Sequence, residues 1–171
     1  MNRTLTATAA LLCATLTACS SGGDAKTSPT VTSKTTTATN KPVTASSAFT
    51  AIAAKVPTAK LSGTVTAEND PDHLLGRPNQ YTSKITFTDS RIKASEVTDS
   101  SKGSVDLGGE IEVFADPSGA QARTKYIQAV TKSISALAEY DYVHGSVLVR
   151  VSHYLTPAQA GEYKAAAANL G

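Results

Sequence analysis

The stretch Tyr81-Thr-Ser-Lys-Ile-Thr-Phe-Thr-Asp89 alternates without a break. Tyr81, Ser83, Ile85 and Phe87 fall on one side, and Thr82, Lys84, Thr86 and Thr88 on the other. A period of two is the signature of a half-buried strand, and such a strand needs a sheet with one covered face. A second stretch, "YVHGSVLVRVS", has the form of a hairpin. A two-residue His144-Gly145 turn suits the type I′ geometry that the strand twist favours. That register sets Tyr142 opposite Val147 and Tyr140 opposite Val149, and together with Val151 these make one apolar face. It also sets Glu139 opposite Arg150 on the other face.

The remaining elements follow from spacing and caps. Phe49, Ile52, Ala53 and Val56 recur at helical intervals and stop before Pro57. Leu61 to Ala67 reads as a weak strand, and Asp70-Pro71 opens a single helical turn that Gly76 closes. Residues 93 to 107 are polar and read as a loop, and Gly109 to Phe114 as a strand with Ile111 and Val113 inward. Asp116-Pro117 starts the longest helix, with a stripe of Ala120, Ile127, Val130, Ile134 and Leu137. Thr156 and Gln159 have the spacing of a capping box, with Leu155 positioned to staple onto Ala160. Tyr163, Ala167 and Leu170 carry that last helix's buried stripe. The expected fold is α+β, a four- or five-stranded antiparallel sheet with helices packed on one face.

All of this lies beyond a break in composition near Ala48. Residues 20 to 47 are half Ser and Thr and hold only Val31 and Val43 as larger apolar side chains. Such a segment buries too little surface to offset its ordering entropy. It reads as a tether, with an end-to-end distance of roughly 30 Å. The body, 48–171, is the right length for one domain. It carries 12 basic against 13 acidic side chains, so the +2 of the whole chain comes from its first 47 residues. That balance gives no basic patch for nucleic acid.

The N-terminus reads as an address. Arg3 precedes a short apolar run, Leu5 to Leu16, too short and too threonine-rich to span a bilayer. The run ends Leu16-Thr17-Ala18-Cys19, which resembles the lipobox of bacterial lipoproteins. The resemblance implies cleavage after residue 18 and a diacylglyceryl group on Cys19. Two acyl chains suffice for stable anchoring, so the expected location is the extracytoplasmic face of the cell membrane. The expected organisation is signal peptide 1–18, lipidated Cys19 and tether 19–47, and body 48–171. Cys13 leaves with the signal, so the body folds without disulfides.

Chemistry is harder to find. His73, His144 and His153 have no second ligand at metal spacing, and no cofactor or catalytic grouping is expected. The connection Asp70 to Tyr81 concentrates polar groups in a turn-rich segment, and loops on rigid scaffolds often carry binding. Asp70, His73, Arg77, Asn79, Gln80 and Tyr81 are therefore the candidate binding residues. The other reading makes Asp70, Pro71 and Gly76 caps and Leu74 and Leu75 core plugs. The blocks "DPDHLLGRPNQYTSKITFTDSRI", "GGEIEVF" and "EYDYVHGSVLVRVS" resemble small uncharacterised lipoproteins of actinobacteria. That resemblance implies location without an activity. The expectation is a non-enzymatic binding or interaction module whose partner is an envelope protein or peptide. The alternative is an envelope enzyme or small-molecule receptor, which a deep pocket with converging polar side chains would favour.

Overall fold

A computed structural model describes residues 42–170. The expected signal peptide, Cys19 and the tether through residue 41 lie outside the described residues. The elements run α1 (Ala45–Ala53), β1 (Ala59–Thr64), β2 (Tyr81–Asp89), β3 (Gly108–Phe114), α2 (Pro117–Ser133), β4 (Glu139–His144), β5 (Val147–Ser152) and α3 (Pro157–Ala167). The five strands form one antiparallel sheet in the order β1-β2-β3-β5-β4. The fold is α+β, with three helices on the sheet.

The body begins earlier than the break in composition. Thr44 caps α1 in a reciprocal box with Ser47, Ala45 is buried, and the Ala45 N–H donates to Ser83 Oγ at 2.9 Å. Ser and Thr read as tether there are helix caps, because a cap needs the hydroxyl that a linker also favours. Strand β1 is likewise displaced towards the N-terminus. It carries a bulge between Leu61 and Gly63, and leaves Leu61 exposed at the sheet edge.

Strand β2 keeps its alternation from Ser83 onward. Ile85 and Phe87 pack with Ile111, Val149 and Val151 beneath α1 and α3. Phe87 stacks on Tyr163 of α3 at 5.3 Å between ring centroids and meets Phe49 of α1 at 5.9 Å. A bulge between Tyr81 and Ser83 turns Tyr81 to the opposite side, where it packs with Phe114, Ala120, Ile127 and Leu148. Tyr81 therefore does not share the Ile85–Phe87 face. Gly109 in β3 answers a steric demand, since a Cβ there would collide with the Arg150 carbonyl and the Phe87 ring.

Helices do not all lie on one face. α1 and α3 cover the apolar side, while α2 packs over Leu148 on the other. The cause is the chain path: β3 sits mid-sheet, and α2 crosses the opposite face to deliver the chain to the edge strand β4. Asp116 caps α2 through the Gly119 N–H, with Pro117 in the first turn. The helix ends at Ser133 rather than running on to Leu137. Ile134 and Leu137 of the expected stripe are 49% and 51% exposed.

The hairpin turn is Gly145-Ser146, not His144-Gly145. His144 pairs with Val147, Tyr142 with Val149 and Tyr140 with Val151. Gly145 takes φ +53, a value that glycine adopts without strain. Moving the turn by one residue changes each pairing by two, so the faces survive. The α3 capping box forms as spaced, and Leu155, Ala160, Tyr163, Ala167 and Leu170 are buried.

A charged cleft on the second face of the sheet

The period of two that aims Ile85 and Phe87 at α1 and α3 aims Lys84 and Thr86 at the other face. Neighbouring strands place their own charges there. Lys84 pairs across with Glu112, Thr86 with Glu110, and Glu110 with Arg150. Four of the five are buried, Lys84 to 2% exposure and Glu112 to 0%, and Arg150 is partly buried. Helix α2 adds Arg123 from above, and the β1–β2 connection adds Asp72.

The contacts are close. Lys84 Nζ lies 3.0 Å from both Asp72 Oδ2 and Glu110 Oε2, and 3.6 Å from Glu112 Oε1. Arg150 donates from Nη1 to Glu110 at 2.6 Å, and from Nε and Nη2 to the two oxygens of Glu139. Arg123 donates to both oxygens of Glu112 and to Asp72 at 2.9 Å. The Tyr81 ring backs the group, 5.2 Å from Lys84 Nζ.

Burial and charge compete at each member. Burial alone would lower the Lys84 ammonium, but Glu110, Glu112 and Asp72 outweigh it and hold its pKa above the ordinary lysine value. Burial wins at Glu110 and lifts its carboxyl despite Arg150 and Lys84. On β4, burial and the neighbouring Glu139 carboxylate push Asp141 up to about 7. The Asp141 Oδ1 is buried without a hydrogen-bond partner.

Above this floor lies an open cleft of about 880 Å³. One wall is apolar: Tyr126, Ile127 and Val130 of α2, with Leu137 just beyond it. Tyr126 is 63% exposed, so this wall presents an uncovered aromatic ring. The facing wall is the polar loop from Thr98 to Asp106. Tyr154 holds that loop through its hydroxyl, which accepts from the Thr98 N–H at 2.8 Å.

The residues expected to bind from the Asp70–Tyr81 connection do not gather at the cleft. Asp70 is buried and organises its own loop: it accepts from the Leu74 and Leu75 N–H groups and from the Tyr81 hydroxyl, each at 2.8 Å. Burial would raise its carboxyl, but these bonds outweigh burial and hold it below the usual carboxylate range. Burial and the bond to Asp70 push the Tyr81 phenol well up. Both are scaffold. His73 and Asn79 take positive φ values of 53 and 61 in tight turns and are exposed, as is Arg77, while Gln80 is half-buried. His73 and Arg77 border a separate hollow of about 190 Å³. From this connection the cleft receives Pro71 and Asp72 instead, next to Asn69 just before it. Leu74 and Leu75 pack against the α2-side core, as their reading as plugs requires.

Sequence reasoning missed Lys84, Glu110, Glu112, Arg123 and Arg150 as a group. The signal was present in the residue types. A strand face meant only for solvent is usually mixed, whereas here three neighbouring strands place charges of opposite sign at matching positions. The expected Glu139–Arg150 contact does form, although the backbone partner of Arg150 is Asp141.

No family model matches this chain, and no curated protein or solved structure matches it either. Among the described residues no helix is long and apolar enough to cross a membrane, and no grouping of His, Cys, Asp and Glu has the arrangement of a metal site.

Proposed function

We propose that this protein is a lipid-anchored binding module of the cell envelope that holds a small molecule in the cleft between α2 and the charged face of the sheet. The observation that carries this reading is the cleft itself. Its volume of about 880 Å³ falls in the size range of small-molecule sites. It combines an apolar wall with a few convergent polar groups, the usual composition of such sites. Its floor is also held rigid by ion pairs between strands, which keeps the polar groups in place before a ligand arrives. An open cleft of this size, with polar groups converging on its floor, favours a small ligand over a protein docked on a flat sheet face. The anchor rests on Leu16-Thr17-Ala18-Cys19, and the tether would hold the body off the membrane.

The test is to purify the lipidated protein from its native membranes, denature it and identify co-released small molecules by mass spectrometry. Val130 is half-buried and lines the cleft, so Val130→Trp fills space there. A compound that accompanies the wild type and is lost in Val130→Trp, with an unchanged melting curve, supports the proposal. A compound retained equally by both, or none in either, refutes it. The address is tested apart from the cleft: Cys19→Ser should move the protein out of the membrane fraction, and unchanged retention with a cleaved signal would refute lipidation.

A further inference from the structure

The ion pairs in the floor do not balance. Three cations, Lys84, Arg123 and Arg150, meet four carboxylates: Asp72, Glu110, Glu112 and Glu139. The donors are committed. Lys84 is shared among three carboxylates, Arg150 forks onto Glu139 and reaches Glu110, and Arg123 forks onto Glu112 and reaches Asp72. An incoming anion would have to break one of these pairs before it gained a partner, at a cost that rises with burial.

The acceptors are not all committed. The Glu110 side chain is 7% exposed and lines the cleft, and its Oε2 holds both Lys84 and Arg150. Its Oε1 accepts no hydrogen bond from any described residue. The same is true of Asp72 Oδ1, whose sister oxygen holds Lys84 and Arg123. Both carboxylates hold the Lys84 ammonium through their other oxygen, each at 3.0 Å, and both line the cleft together with Tyr126. The Asp72 side chain is 36% exposed, so both oxygens keep acceptor capacity on the wall of an open cleft, which a cation supplied from outside can take up.

From this we infer that the ligand is an organic cation, a primary ammonium on an apolar body. The ammonium is received between Glu110 Oε1 and Asp72 Oδ1, and the body lies along Tyr126, Val130 and Leu137. The inference rests on the cleft being a binding site and adds the chemical class of what it takes. An ammonium has three donors to offer these oxygens, and an aromatic face such as that of Tyr126 attracts cations and apolar groups alike.

The experiment uses three probes of nearly equal shape: 4-phenylbutylamine, 4-phenylbutanol and 4-phenylbutanoate. Each is titrated into the unlipidated chain from Cys19 to Gly171 while backbone amide shifts are followed by NMR. The expected result is saturable shifts at Gly103, Tyr126 and Val130, with the amine at least tenfold tighter than the alcohol or the acid. Tyr126→Ala, an exposed position, should weaken the amine without moving the melting curve. Shifts at the cleft with the alcohol or acid as tight as the amine would overturn the cationic ligand and leave the cleft as a binding site. Shifts confined to other surfaces, or none at millimolar probe, would overturn both readings.

Discussion

Ile85 and Phe87 on one side of β2, and Lys84 and Thr86 on the other, are hidden from solvent to almost the same degree. What differs is the manner of covering. On the first side α1 and α3 press apolar side chains into the sheet, and Phe87 lies between Phe49 and Tyr163. On the second side α2 meets the sheet closely at Leu148 and leaves the charged row beside a cleft. Buried apolar surface is favourable wherever it is covered. Buried charge is tolerated only when every member is paired. The apolar face thus supplies stability, and the charged face is the costlier structure to hold, which is in keeping with its proposed role as a ligand floor.

The largest expected effects set the two faces side by side. Glu112→Ala removes two of the three acceptor oxygens of Arg123 and a neighbour of Lys84, and should cost about 3–5 kcal/mol because it leaves buried cations short of partners. Phe87→Ala should cost about the same through lost packing. Chemical denaturation measures both, and a loss under 1 kcal/mol for Glu112→Ala would mean that the charged face is solvated. Next comes Tyr81→Phe, which removes the phenol donor to the buried Asp70 carboxylate. A hydrogen bond to a charged group is worth about 1.5–3 kcal/mol, and a neutral outcome would show that the Leu74 and Leu75 amides hold Asp70 unaided.

Those residues show how far the sequence was legible. The strands, the α+β class and the proline-led starts of α2 and α3 were readable because period, caps and proline act locally, whereas the helical turn expected from Asp70-Pro71 to Gly76 is a run of turns with His73 at φ 53. The bulge that reverses Tyr81 was not, since it depends on how β2 registers against β3. Tyr81 and Asp70 read as two of the candidate binding residues, although they are hydrogen-bonded to each other inside the structure. The charged row was visible as residue types, but its burial was not. Burial there depends on the side of the sheet that α2 takes, and the chain path from β3 to β4 decides that. The C-terminal part of the α2 stripe misled in the opposite sense: Ile134 and Leu137 have helical spacing yet lie past the end of the helix and stay exposed.

A smaller effect tests where the apolar face begins. Starting the chain at Ala48 instead of Pro42 deletes the Thr44 cap and buried Ala45, and should cost about 1–2 kcal/mol in thermal or denaturant unfolding. Equal stability would return residues 42–47 to the tether. The smallest effect belongs to the edge of the charged face. Asp141 is pushed up to about 7, above its unfolded value near 3.9. The folded state therefore holds the proton longer. The stability linked to that proton is complete below the unfolded value and is lost as pH rises through about 7. Asp141→Asn should raise the melting temperature at pH 8 and leave it nearly unchanged at pH 4. An equal rise at both values would mean that the carboxylate's charge is not the cause.

The claim that the charged face is a ligand floor is met most directly by titrating a small-molecule extract of the native envelope into the isotope-labelled chain from Cys19 to Gly171. Amide shifts should gather on Thr86, Gly103, Tyr126 and Val130, while Phe49, Phe87 and Tyr163 on the apolar face stay in place. Shifts that gather on Arg77 and Asn79, or along α1 and α3, with the cleft silent, would contradict it.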